Sequence, residues 1–384
     1  MRAVQYDRYG PPEVLRVDEV PMPRPGAGEV LVEVHAASVD AGEMAFRAGR
    51  MRWMTRAGFP RRTGGDFAGR VVEVGAGVSA WRTGDAVWGL MPHLTFGAIA
   101  EYVAVPERRL SRAPKNLSLL DAAALPVSGT TALTALRDKA QLVPGERLLV
   151  RGAAGGVGSV AVQLGKALGA HVTALAGARN VDWVADLGAD VALDYRTTRP
   201  EDLAPFDVIV DVVGTDLGAY QARLARRGRL IALAFDTDRI VTSMLGTGLR
   251  AVVRPRRVKL FSNDPSAERI AELARSVEAG DVRPVIDAVF PMGGIAEAHR
   301  RLEAGGVRGK FVIEVRGAKR DRLGPGWVEC CGELRPGGGS SKLGGEGGAR
   351  RRGVGCGSVT LGAKVSHFRG EGLLGWGAGW KTRQ

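Results

Sequence analysis

The chain has 384 residues, 45% hydrophobic and 25% charged, which is enough apolar material for two globular domains, and no apolar run reaches the length of a membrane span. Its net charge of +13 is uneven: from Ala318 onward there are 12 Lys/Arg against 5 Asp/Glu, so the body carries only +6 and suits a small anionic ligand without requiring nucleic acid. All three cysteines, Cys330, Cys331 and Cys356, lie in that C-terminal segment, which excludes disulfides, cysteine nucleophiles and thiolate metal sites from residues 1–317.

The N-terminal stretch MRAVQYDRYGPPEV lacks the apolar core of a signal peptide, so a cytoplasmic protein is expected. Residues 1–125 carry short alternating runs broken by Gly and Pro (EVLVEVHAASV, AGRVVEVGAGV, GDAVWGL, GAIAEYVAVP), the pattern of a β-rich domain. Residues 126–262 alternate apolar strands with amphipathic helices: LLVRG, a helix, HVTALA, a helix, VALDY, DVIVDVVG, a helix, RLIALAF. That alternation predicts a parallel sheet with helices on both faces. Residues 263–316 read as helix, strand (PVIDAVF), helix and strand (KFVIEV), and are expected to return to the first domain. The tail, 317–384, has 19 glycines from Ala318 onward and no sustained periodicity; it is expected to be disordered, or to be a non-native extension.

The stretch RGAAGGVGSVAVQLGKALGA, 151–170, decides the ligand class. Leu148-Leu149-Val150 end a buried strand, and Val157, Val160, Ala161, Leu164 and Leu168 recur at helical spacing. Between them lies Ala153-x-Gly155-x-x-Gly158, the dinucleotide fingerprint with Ala in its first place. Gly155 and Gly156 let the backbone approach a pyrophosphate, Gly158 lets helix and strand pack closely, and free amides from Val157 and its neighbours hold the phosphates. About twenty residues past Gly155, where an NAD site carries Asp or Glu, the chain reads Ala176-Gly177-Ala178-Arg179-Asn180. A missing carboxylate and an available Arg179 favour the 2′-phosphate of NADPH.

The order of these parts, with GGDFAGRVVEVGAGV, AAGGVG and RGKFVIEV, resembles the medium-chain dehydrogenase/reductase superfamily over residues 1 to about 316. Within it, the chain is most similar to the zinc-independent NADPH:quinone oxidoreductase branch. The resemblance implies an α/β protein: a GroES-like catalytic domain beside a Rossmann doubly wound parallel sheet, with the cofactor in the cleft between. Where zinc-dependent relatives hold catalytic zinc with Cys, His and Cys, this chain has Asp40, Gly65 and no Cys near Pro126–Thr131, so no metal is expected. Without a metal, a simple ketone is a poor acceptor, because charge would concentrate on one oxygen; a quinone or α,β-unsaturated carbonyl spreads it.

Further residues carry over from the resemblance. Asp40 stands where relatives commonly have Asn, and would line the substrate cleft with no proton to donate unless protonated. Thr131 matches a Thr near the nicotinamide, Tyr195 a Tyr near the adenosine phosphate, Gly214 a residue beside the cofactor, and Lys310 a Lys near the cleft. Relatives are often dimers, so a homodimer is a further expectation.

Of five histidines, only His93, in GLMPHLTFG, is placed as a candidate proton donor; His35, His171, His299 and His367 read as packing or surface. The basic run RAVVRPRRVKLF, 250–261, lacks the aromatic platforms of a nucleic-acid surface, and MRWMTRAGF, 51–59, is either an apolar substrate wall or a packed helix face. The leading expectation is a zinc-free, NADPH-dependent reductase of quinones or enones. The alternatives are a non-enzymatic NADPH-binding redox sensor or partner-binding protein and, less favoured, an alcohol dehydrogenase.

Overall fold

The computed structural model describes residues 1–54, 58–235, 240–253 and 257–316; the tail expectation and the centres of the 51–59 and 250–261 segments lie outside them. Leu148, Leu149 and Val150 are buried without exception, as a strand covered on both faces must be. Their strand, Arg147–Arg151, is central to a six-stranded sheet. In spatial order the strands are Val191–Asp194, His171–Ala176, Arg147–Arg151, Phe206–Asp211, Leu224–Ala232 and Val258–Leu260, and every pairing is parallel. In chain order this is 3-2-1-4-5-6, the Rossmann winding. Strand order reverses between Arg147–Arg151 and Phe206–Asp211, so a crevice opens at their carboxyl ends.

The other large sheet is built around the long strand Glu29–Val39, which pairs antiparallel with Asp66–Val74, Tyr102–Pro106 and Lys310–Glu314. Strand Ile286–Pro291 extends it in parallel beyond Lys310–Glu314. Residues from the far end of the described chain thus return to the N-terminal sheet, and Val32, Val34, Phe67, Phe311 and Ile313 share one core. The alternation in EVLVEVHAASV is blurred in the structure because most of this strand is covered on both sides.

Helix Pro126–Leu133, with Pro at its first position, lies between the two sheets' cores, and helix Ala267–Glu278 packs onto it. Gly129 permits that approach, since a Cβ there would lie 2.5 Å from Leu273 Cδ2. No helix among the described residues is long and apolar enough to cross a membrane.

Candidate functional site

The glycine-rich turn forms as its sequence dictates. Gly152 has φ +73°, Gly155 caps helix Gly156–Ala167 in an extended conformation, and the first amides of that helix have no intrahelical acceptor. Gly158 is required by packing, for a Cβ there would sit 2.1 Å from the Gly152 carbonyl oxygen. Gly155 is different. A Cβ there would meet nothing nearer than 3.6 Å, so the space its hydrogen faces is open to a ligand. At Gly156 a Cβ would lie 2.7 Å from both Ser128 Oγ and Lys310 Cδ, and the buried Ser128 hydroxyl has no partner. Ala153 is fully buried, its amide held by the Leu175 carbonyl at 3.0 Å, while Val157 is half-buried at the helix start. An open glycine face, free amides and an orphaned hydroxyl fit the pyrophosphate of a dinucleotide.

At the end of strand His171–Ala176, Arg179 is exposed on the short turn Ala178–Asn180, and the Tyr195 ring lies 3.5 Å from where a Gly177 Cβ would be. Tyr195 is 52% exposed, so its ring is available to stack on a planar group. Arg308, which the sequence did not single out, donates to the Arg179 carbonyl and to Asn180 Oδ1, both at 2.9 Å. It ties the 305–309 loop to this corner and puts a second guanidinium near Arg179.

At the crevice between the reversing strands, Arg151 and Asp211 form a buried ion pair. The Arg151 guanidinium also donates to the Thr215 carbonyl at 2.8 Å and lies 3.6 Å from the centroid of the Tyr220 ring. Asp211 Oδ1 accepts from the amides of Val213 and Gly214 at 2.8 and 2.9 Å, and Gly214 turns with φ +87°. Gly214 therefore sits on a loop held rigid from beneath. Thr131 lies on helix Pro126–Leu133 with its hydroxyl donating to the Val127 carbonyl at 2.7 Å; only its lone pairs are left for another group.

Asp40 and Lys310 meet in an ion pair. Asp40 opens helix Ala41–Arg47, and Glu43, three residues on, accepts from the Asp40 amide at 3.1 Å, half of a capping box legible in Asp40-Ala-Gly-Glu43. The other Glu43 oxygen accepts from Thr63 Oγ1 at 2.7 Å and the Gly64 amide at 2.6 Å, fixing the helix start to the loop that carries Gly65. Burial, and then the Asp40 charge, push the Glu43 carboxyl up to about 7, although its three donors oppose this. Asp66 is buried too, accepting from Ser38 Oγ at 2.5 Å and the Val127 amide at 2.9 Å. Burial raises its pKa, and Lys310 partly offsets that rise.

Lys310 crosses from one half of the site to the other. Its stem packs over Gly156 in the dinucleotide turn while its ammonium reaches Asp40. Burial works against its charge, but Asp40, Asp66 and Glu43 together outweigh this and raise its pKa. Behind Glu43 lies His299, fully buried, with Nε2 3.6 Å from Glu43 Oε1 and no hydrogen-bond partner on either ring nitrogen. Burial, then the charge of Arg47, lower its pKa to about 3. Arg47 is itself buried and paired with Glu303.

A zinc ion does not fit here. The Lys310 ammonium already neutralises Asp40, and Gly65, whose Cβ would lie 3.5 Å from Asp40 Oδ2, offers no ligand. Among the described residues no group of three or more His, Cys, Asp or Glu is disposed around a common point.

Sequence reasoning did not anticipate Glu43, Asp66, Ser128 or the Arg151–Asp211 pair. His93 is exposed and bonds Ser262 Oγ at 2.5 Å rather than reaching Asp40. In the basic run, Arg257 caps the carbonyls of Leu224, Ala225 and Gly228, and Lys259 caps that of Lys139, so these charges serve the fold. In the 51–59 segment, Trp53 is 58% exposed, whereas Phe59 packs edge-on against Tyr6 and Tyr9.

Residues 26–115 match the alcohol dehydrogenase GroES-like domain family, and residues 187–313 match a family described as zinc-binding dehydrogenase. The chain is 33% identical over 328 residues to the chloroplast envelope quinone oxidoreductase homolog of Arabidopsis thaliana, covering 82% of this chain and 98% of that one. It is 34% identical over 358 residues to the mitochondrial NAD(P)H oxidoreductase RTN4IP1 of Homo sapiens, covering 82% and 89%. Among solved structures, the quinone oxidoreductase from Coxiella burnetii superposes with a TM-score of 0.74 at 31% identity, covering 82% of this chain and 99% of that one.

Proposed function

The chain belongs to the medium-chain dehydrogenase/reductase superfamily, in its quinone oxidoreductase-like branch, and on that premise we propose that it is an NADPH-dependent, zinc-independent reductase of quinones and other activated alkenes. The observation that carries the proposal is the cradle at Gly155: open space, free helix-start amides and the unpartnered Ser128 hydroxyl at the head of a 3-2-1-4-5-6 sheet. When bound there, NADPH supplies a hydride. Gly155, Gly156, Val157 and Gly158 would hold the pyrophosphate, with Ala153 and Gly214 shaping the walls. Arg179 and Tyr195, with Arg308 beside them, would hold the phosphorylated adenosine end. Thr131 would border the nicotinamide, and Asp40 the acceptor.

The cleft supplies an ion pair and no metal ligand set, so it cannot polarise an isolated carbonyl as a Lewis acid would. A conjugated acceptor fits because its own π system carries the developing charge. The test is a screen of NADPH oxidation against quinones, enals, enones and simple ketones, with deuterium at the transferred position of the cofactor. Turnover of conjugated acceptors is expected, with deuterium retained on the β-carbon of the reduced enals and enones. Turnover of simple ketones that chelators abolish and zinc restores would overturn the reading.

A further inference from the structure

We propose that the Lys310 ammonium is the donor to the acceptor oxygen, and that Asp40 is the residue that positions it. This rests on the reductase reading above and supplies the donor that a carboxylate at position 40 cannot be. Lys310 is tied to the dinucleotide turn at its root: the Gly309 amide bonds the Ala154 carbonyl at 2.7 Å, and Gly309 bridges Gly155. Its stem lies over Gly156, and its head group meets Asp40 at the start of helix Ala41–Arg47. One side chain thus spans from the cofactor cradle to the acceptor cleft.

An ammonium has three N–H donors, and one is committed to Asp40 Oδ1. Asp40 Oδ2 is buried without a partner, so the pair is only half satisfied and has capacity for an incoming polar group. Among the described residues, three other candidates have their nearest partners elsewhere. Arg47 pairs with Glu303, His93 with Ser262, and His299 is buried behind Glu43. Asp66 and Glu43 accept from two and three donors respectively, and add negative charge that keeps Lys310 protonated.

The step balances. The acceptor carbon takes the hydride, the conjugated electron pair moves onto the oxygen, and that oxygen takes a proton from Lys310 Nζ. The neutral amine left beside the Asp40 carboxylate recovers its proton from solvent. The acceptor gains two electrons and the nicotinamide loses two. Need for the donor grows with the basicity of the oxygen anion, so an enone, whose enolate is basic, depends on Lys310 more than an electron-poor quinone does.

The experiment compares Lys310→Met, Asp40→Asn and the double variant, which buries no unpaired charge, with an enone and an electron-poor quinone. Without Lys310, kcat for the enone should fall about 100-fold or more while kcat for the quinone falls less than about 10-fold. NADPH affinity, read by fluorescence, should stay within about threefold. Asp40→Asn should move the alkaline limb of the enone pH profile to lower pH. In the protein without cofactor, p-nitrophenol should bind as its phenolate and ionise at lower pH than in water, an effect that Lys310→Met abolishes. Equal losses for both acceptors that follow a loss of NADPH affinity would overturn the proposal, as would p-nitrophenol ionising as in water. If the unmodified protein passes hydride to neither acceptor, it is the reductase reading that fails.

Discussion

His299 and Glu43 give the protein two opposed pH dependences in one buried contact, and two substitutions should separate them. His299 in the folded chain ionises near 3, against about 6.5 in an unfolded chain. Below about 6.5 the unfolded state takes the proton and the folded state does not, so stability is lost as pH falls. Going from about pH 7 to about pH 5, the loss is roughly 2 kcal/mol. Glu43 in the folded chain ionises near 7, against 4.5 without its surroundings. Over the same descent the folded state takes the proton first, so stability is gained, again by roughly 2 kcal/mol. The two contributions cancel in the unmodified protein. His299→Leu removes the loss, and its stability relative to the unmodified chain should rise by about 2 kcal/mol between about pH 7 and pH 5. Glu43→Gln removes the gain and should shift it by about the same amount the other way. Urea denaturation of all three proteins at both pH values measures this, and taking differences cancels the remaining titrating groups. The reasoning is refuted if both variants keep the pH dependence of the unmodified protein to within about 0.5 kcal/mol.

Three further outcomes are expected. Gly158→Ala drives a methyl group into the Gly152 carbonyl, 2.1 Å from the ideal Cβ, and should cost about 1–3 kcal/mol in thermal unfolding and weaken NADPH binding in a fluorescence titration. Arg179→Ala should reduce the preference for NADPH over NADH about 10-fold or more, read as the ratio of kcat/KM values, because one charged hydrogen bond to the 2′-phosphate is lost. Asp211→Asn leaves the Arg151 guanidinium buried without its counter-charge and should destabilise by about 3–5 kcal/mol in denaturant unfolding, whatever the cofactor.

The parts legible in the sequence were those encoded by local pattern. The run from Leu148 to Leu168 spells strand, turn and helix in consecutive residues, and the structure follows it closely because Gly152 meets a positive φ and Gly158 a close approach of backbone. The parallel sheet with helices on both faces followed from the alternation of strands and helices, and its Rossmann winding was what the family resemblance implied. The charged cluster was not legible in this way. Asp66, His299 and Lys310 are distant in sequence from Asp40 and Glu43, and nothing near Lys310 says that its ammonium points at residue 40. The Asp40-Ala-Gly-Glu43 spacing was the one local signal, since an acid three residues after an N-cap marks a helix start. The unpartnered Ser128 left no signal at all; its isolation appears only when helix Pro126–Leu133 is laid against the turn.

The pairing of residue 40 with residue 310 also sets an order of events during synthesis. The two residues are 270 positions apart, so at about 5–20 residues per second the ribosome takes on the order of 15–55 s to deliver the second after the first. Through that interval the nascent chain carries Asp40 without its cation, and the 36–39 end of strand Glu29–Val39 waits for Lys310–Glu314 while its 29–33 end can already pair with Tyr102–Pro106. The emerging N-terminal half is therefore unpaired at that end of the strand, and the pairing that covers it brings Lys310 to Asp40 in the same event. A chain that stops short of residue 310 lacks both this strand partner and the cation that meets Asp40, so the sheet and the ion pair are completed together.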